Sequence, residues 1–213
     1  MNILHICANP KPVGESVSRQ LAEAFFAKLA ELNSGAEVTT VNLFETPPPF
    51  YTYETFRNFW YPVFVTGYAP TEEEQAAAAY ARAQGELFNK ADVLVLTTPM
   101  WNFTVPGILK AWMDQVLAPN QVFTIGPGGA KPLHHIRRIV LLVASGGSYR
   151  EGDPRDALLP QVQSAFGFVG ISNVSVAWAD GQNPFFFKDC DARKATALEA
   201  ARDLAEEIAE GDL

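Results

Sequence analysis

The chain has 213 residues, 48% of them hydrophobic, and a formal net charge of -8 at pH 7. The acidic balance, without any run of Lys or Arg, argues against nucleic acid as a partner, and no apolar stretch approaches the roughly 18 residues of a membrane span. Cys7 and Cys190, far apart in the chain, read as reduced thiols of a cytoplasmic protein rather than a bridge, and three His without a Cys/His cluster give no metal site.

Apolar runs and helical periodicity alternate five times along the chain. Residues 2–7 enter a strand directly, with no basic leader, and a helix near 16–32 carries Ala22, Phe25, Phe26 and Leu29 on one face. After a second strand at 37–43 comes an aromatic segment, 44–70. It opens with Pro47-Pro48-Pro49-Phe50-Tyr51 and continues with Tyr53, Phe56, Phe59, Trp60, Tyr61, Phe64 and Tyr68, too aromatic for a disordered linker. Pro70 and the capping box Thr71/Glu74 begin a helix over 71–90. A third strand at 92–97 leads into a helix at 106–117, with Ile108, Leu109, Trp112, Met113, Val116 and Leu117 on one face. Residues 118–135 read as an inserted hairpin turned by Gly126-Pro127-Gly128-Gly129, which has neither the spacing nor the Ser/Thr of a phosphate loop. His134-His135, beside Arg137 and Arg138, read as solvated loop residues. A strand at 137–145, a helix at 155–168, a strand at 173–178 and a helix at 190–210 complete the chain. The strands are continuous apolar runs, as in sheets buried on both faces. The expected architecture is α/β: one domain over 1–213, a flavodoxin-like doubly wound five-stranded parallel sheet of order 2-1-3-4-5, with helices on both faces and two insertions.

In such a sheet the ligand crevice lies at the carboxyl ends of strands one and three, where the winding reverses. Three loops should meet there. The first, residues 8–18, offers Gly14 for its turn and Ser16 and Ser18 at the start of a helix, where hydroxyls, N–H groups and the helix dipole suit a phosphate; a plain N-cap role for Ser16 fits equally. The second is Pro99-Met100-Trp101-Asn102-Phe103-Thr104-Val105-Pro106. Its aromatics, amide and thioether suit the edge of a flat, partly polar ring, although a core-packing loop with Pro106 opening the next helix is the plainer alternative. The third is Ser145-Gly146-Gly147-Ser148-Tyr149-Arg150, where paired glycines let backbone N–H groups approach a ligand. No G-x-G-x-x-G or Walker sequence is present, which disfavours nucleoside triphosphate chemistry.

The succession Gly14-x-Ser16-x-Ser18, Pro99-Met100-Trp101-Asn102-Phe103 and Ser145-Gly146-Gly147, continued by Phe166-Gly167-Phe168-Val169-Gly170-Ile171, resembles the FMN-dependent NADH azoreductases and quinone reductases of the flavodoxin-like superfamily. The resemblance covers most of the chain. It implies that Pro10, Ser16, Val17 and Ser18 surround the FMN phosphate. Met100, Trp101, Asn102 and Phe103 would hold the ring edge and ribityl chain, and Ser145, Gly146, Gly147 and Ser148 the pyrimidine end. Trp101 stands where the family pattern has Tyr, one residue is missing before Gly146-Gly147, and Asn9-Pro10 replaces a Ser pair.

The resemblance further implies a two-electron ping-pong reaction in which NADH or NADPH reduces FMN and a small aromatic acceptor, a quinone or azo compound, reoxidises it. The flavin carries the chemistry and no side chain is assigned as catalytic. A homodimer with the site at its interface is expected. Phe123, Tyr149 and Phe168 are the candidate acceptor contacts. The segment 44–70 is either an apolar roof over the ring or a flap packed on its own chain. Three alternatives remain open: a flavodoxin-type one-electron carrier, whose phosphate-loop pattern Asn9-Pro10-Lys11-Pro12 does not match, an NAD(P)H:flavin reductase that releases reduced FMN, and a flavin-free regulatory relative that keeps the fold and loses the cofactor.

Overall fold

A computed structural model describes residues 1–32, 35–149 and 152–213. In chain order the elements are β1 (Asn2–Cys7), α1 (Val17–Glu31), β2 (Glu37–Asn42), α2 (Tyr53–Phe64), α3 (Glu72–Ala77), α4 (Ala79–Lys90), β3 (Val93–Pro99), α5 (Gly107–Val116), β4 (Phe123–Gly126), β5 (Gly129–Pro132), β6 (Arg138–Ala144), α6 (Leu158–Phe168), β7 (Val174–Ala179) and α7 (Cys190–Glu210). Five strands pair in parallel in the order β2-β1-β3-β6-β7. The expected order 2-1-3-4-5 counted only these five. The antiparallel hairpin β4–β5 forms a separate sheet between the third and fourth of them and takes two labels.

Alternation along the strands explains why their sequences read as unbroken apolar runs. Ile3, Val93, Val95, Val140 and Leu142 pack with α1 and α7 residues on one face, while Leu4, Ile6, Leu94, Leu96, Leu141 and Val143 pack with α4, α5 and α6 residues on the other. Every one of these side chains is buried, each worth roughly 1.5–3 kcal/mol when fully removed from water. β2 is the exception: as an edge strand it keeps Glu37 to Thr40 exposed.

The expected helix over 71–90 is two helices, with Ala78 (φ -88°, ψ 2°) leaving helical geometry between them. At that break the aromatic segment docks. Phe59 of α2 packs against Ala78, Ala81 and Ala118, small side chains that admit a ring. Thr52 caps α2 by accepting from Thr55 N–H (3.2 Å). The Thr55 hydroxyl donates to Ala77 O (3.2 Å) and Arg82 donates to Asn58 Oδ1 (2.6 Å). Arg57 completes the latch, donating to the buried Glu74 carboxylate with its guanidinium 4.2 Å from the Tyr61 ring centroid. Segment 53–64 is therefore a flap packed on its own chain. Phe44, earlier in the segment, is the residue that reaches the second loop, meeting Trp101 edge-on at 6.5 Å.

Parallel strands require each connecting helix to run back against them. α5 and α6 thus start at the carboxyl edge of the sheet and deliver residues 118–135 and the end of α6 to the amino edge. This places the candidate acceptor residues. Phe123 is 1% exposed in the core, and Phe168 covers it edge-on at 5.3 Å. Neither is brought to the crevice of its own chain, because α6 alone spans roughly 16 Å.

Candidate functional site

The first loop leaves β1 through Ala8, whose N–H donates to Thr97 O (2.8 Å), and turns beneath the start of α1. Asn9, only 5% exposed, organises it. Its amide donates to Ser16 Oγ (2.7 Å) and Ser18 Oγ (3.0 Å), and its Oδ1 accepts from Lys11 N–H (3.0 Å). Ser16 is also the N-cap of α1, accepting from Arg19 N–H (3.2 Å). The Ser16 and Ser18 hydroxyls also face each other at 3.4 Å, so the cap and its neighbour together fix both oxygens at the start of α1. The N–H groups of Val17 and Ser18 lie in the first turn, without intrahelical acceptors, at the positive end of the helix dipole. Pro10 is exposed beside them.

The second loop is fixed by Met100 N–H donating to Ala144 O (2.9 Å). Trp101 and Thr104 then exchange both backbone hydrogen bonds (3.0 and 3.1 Å) around Asn102 (φ 48°) and Phe103 (φ 69°). This is a two-residue turn with both central residues left-handed, a conformation that Asn tolerates and Phe does not. Such strain costs of order 1–3 kcal/mol per residue and is characteristic of ligand sites. It is braced by Ala157 N–H donating to Phe103 O (3.0 Å) and by Thr104 donating to Gln161 Oε1. The turn holds Trp101 (43% exposed), Asn102 and Phe103 (52% exposed) out of the core, while Met100 packs against it. The core-packing alternative thus holds for the two ends of the loop, where Met100 packs on the core, Val105 is buried within it and the buried Pro106 opens α5.

In the third loop the two serines work for the loop itself. Ser145 Oγ donates to Gly147 O (2.8 Å) and accepts from Trp178 Nε1 (2.8 Å). Ser148 donates to Asp180, whose carboxylate Arg193 holds at 2.9 Å. The carbonyls of Gly146 and Gly147 accept from Asn183 and Gly181 N–H (3.3 and 2.8 Å). Among the described residues nothing accepts from the Gly146 and Gly147 N–H groups. Tyr149 folds back with its hydroxyl 2.9 Å from where a Gly147 Cβ would stand, its ring stacked on Trp178 at 5.8 Å. Arg150 lies outside the described residues.

The three loops thus meet as expected, joined by the Ala8–Thr97 and Met100–Ala144 hydrogen bonds. They carry a helix N-terminus, two exposed flat aromatics, an exposed amide and two backbone donors with no acceptor among the described residues. A phosphorylated, flat, carbonyl-bearing ring system fits this donor set. The link of Asn9 to both serines is a three-dimensional fact that its place in the sequence does not announce, and residues 180–187 were overlooked. The signal for the latter was Gly181-Gln182-Asn183-Pro184, turn residues directly after the fifth strand of the sheet.

His5 and the paired histidines do not belong to the site. His5 lies between Thr40 Oγ1 (3.2 Å) and Thr97 Oγ1 (2.9 Å), and burial, aided by Arg19, pushes its pKa down to about 4. His134 shares a hydrogen bond with Val169 O (3.0 Å) and is lowered by burial, and His135 meets Asp92 at 3.2 Å. No cluster of His, Cys, Asp and Glu suited to a metal occurs among the described residues, and no described helix is long and apolar enough to cross a membrane.

Residues 1–206 match a family model described as a flavodoxin-like fold. An FMN-dependent NADH:quinone oxidoreductase of Azotobacter vinelandii is 37% identical over 171 residues, covering 79% of this chain and 82% of that protein. The chain belongs to the flavodoxin-like azoreductase and quinone reductase family. Another family member, the FMN-dependent NADH:quinone oxidoreductase of Brevibacillus brevis, is 31% identical over 206 residues, 96% of this chain and 98% of that one. In structure, a family azoreductase from Bacillus anthracis superposes with a TM-score of 0.85 at 28% identity, covering 97% of this chain and 99% of the other.

Proposed function

We propose that this protein is an FMN-dependent NADH oxidoreductase that passes two electrons to quinones or azo compounds. The observation that carries the reading is the third loop, where Gly146 and Gly147 have their carbonyls tied back and, among the described residues, no acceptor for their N–H groups. Relatives named as FMN-dependent NADH:quinone oxidoreductases over nearly the full chain support it.

Bound FMN supplies the hydride-transfer chemistry, and the protein's share is binding and electrostatics. Ser16, Val17 and Ser18 would hold the phosphate at the α1 N-terminus, with Pro10 flanking it. Met100, Trp101, Asn102 and Phe103 would hold the ring edge and ribityl chain. The Gly146 and Gly147 N–H groups would face the pyrimidine end, where preorganised donors stabilise negative charge without reorganisation. Ser145 and Ser148 contribute by shaping that turn, and Tyr149 by roofing it.

The same reading takes 1–213 as one domain with the flap and the hairpin as insertions, acting in the cytoplasm. It also takes the protein as a homodimer. Because Phe168 stands at the amino edge, it would reach an acceptor only across to a second copy, and its exposure (54%) leaves it available for that, whereas the buried Phe123 would act only by backing its ring.

Initial rates with NADH and benzoquinone test the proposal. Parallel double-reciprocal lines, with FMN remaining on the protein through gel filtration, are expected. Intersecting lines with FMN leaving at each turnover would replace it by a flavin reductase, and an FMN-loaded protein inert to NADH by a one-electron carrier.

A further inference from the structure

Residues 181–187 carry a feature that flavin binding does not use. Phe185 and Phe186 are 90% and 78% exposed, among the most exposed large apolar side chains described. Isolated exposed apolar residues are ordinary, but an adjacent pair on a rigid turn is not. This turn is rigid. Asn183 Oδ1 accepts from Phe185 N–H (3.0 Å), and Asn183 O accepts from Phe186 and Phe187 N–H (both 3.0 Å). Phe187 is clamped beneath the Arg193 guanidinium at 5.2 Å, and the Cys190 thiol donates to Gly181 O (3.2 Å).

The turn is also fastened to the third loop. Gly181 N–H donates to Gly147 O, Gln182 N–H to Ser145 O and Asn183 N–H to Gly146 O. Asn183 Cβ is 3.6 Å from the position of a Gly146 Cβ. Phe185 is two residues beyond that contact, within roughly 7 Å of chain. The pair thus stands within three residues of the contact with Gly146, at the carboxyl edge of the sheet that also carries Trp101 and Phe103.

We propose that Phe185 and Phe186 form an apolar arm at the mouth of the crevice that selects acceptors carrying an apolar side chain or a second aromatic ring. This rests on the reading of the crevice as the flavin site. The occupant is a small apolar molecule, because the pair is carried on a turn fastened to the third loop of a crevice whose second loop exposes Trp101 and Phe103. Loss of the two ring contacts should lower affinity about tenfold, equivalent to about 1.4 kcal/mol.

The test compares the wild-type holoenzyme with Phe185→Ser/Phe186→Ser and Phe185→Leu/Phe186→Leu. The ratio of kcat/KM for an alkyl-substituted naphthoquinone to that for benzoquinone should fall about tenfold in the Ser variant and recover in the Leu variant. FMN content and the rate of flavin bleaching by NADH should not move. Equilibrium dialysis of the naphthoquinone against oxidised holoenzyme should show the same loss of binding without turnover. An unchanged ratio with unchanged dialysis would overturn the proposal. So would conversion of a dimer to a monomer by the Ser variant in sedimentation, which would make the pair a subunit contact. If the wild type reduced no quinone, the flavin reading would fail, while dialysis would still report on the arm.

Discussion

Asn9→Ala removes the side chain that links both serines of the first loop. The Asn9 amide makes two hydrogen bonds and its oxygen a third, all with a residue 5% exposed. Ser16 retains the Arg19 N–H as donor, so the cap of α1 survives. Ser18, fully buried, loses its Asn9 partner, and the Lys11 N–H loses its acceptor. At about 0.5–1.5 kcal/mol net for each bond, the change costs on the order of 2 kcal/mol. For a chain of this size that lowers Tm by roughly 4–8 °C. FMN affinity should fall about tenfold as well, because the hydroxyls at the helix N-terminus are no longer held in one orientation. Melts of the apo-protein followed by circular dichroism measure the first effect, and quenching of FMN fluorescence on titration measures the second. An unchanged Tm would refute the structural role of Asn9. A lowered Tm with unchanged FMN affinity would refute its link to the phosphate.

His5 gives a pH dependence. Its folded pKa is depressed from 6.5 to about 4, so the neutral form belongs to the native state. The associated stability is complete above about pH 6.5, is lost as pH falls towards 4 and amounts to about 3 kcal/mol in all. Urea melts at pH 7 and pH 4.5 should show that loss, and His5→Gln should flatten it; equal slopes in both proteins would remove the assignment. Glu74→Gln weakens the grip on Arg57 and Tyr68, and limited proteolysis within 52–66 should accelerate; unchanged cleavage would mean the latch does not hold α2. Asn102→Leu should lower FMN occupancy and destabilise the left-handed turn, whereas Asn102→Gly should lower occupancy alone. Full occupancy in the Gly variant would show that the amide does not touch the flavin.

The sheet was legible because its strands are buried on both faces, so runs such as Val93-Leu94-Val95-Leu96 stand out without any partner in view. The three crevice loops followed from topology and were found where topology puts them. α2 was not legible. Pro47 to Pro49 and Pro62 blur its periodicity, and what holds it is tertiary, namely the Arg57–Glu74 pair and the alanines around Phe59. The break at Ala78 hides inside a run of four alanines that favours continuous helix. Phe123 and Phe168 were chosen for their chemistry. The antiparallel course of α5 and α6, already implied by a parallel sheet, places them at the far edge. The strained turn at Asn102-Phe103 had no warning in sequence, since Phe is a poor left-handed residue and is held there by Ala157 and Gln161.

Everything proposed for the crevice rests on FMN binding there and on its reduction by NADH through two electrons at once. Anaerobic titration of the FMN-loaded protein with NADH, followed at about 450 nm, tests it most directly. Complete bleaching is expected at one NADH per flavin, followed by full recovery of absorbance on adding one equivalent of benzoquinone. Bleaching that stalls at a half-reduced form, or no response to NADH by a protein that holds its FMN, would contradict it.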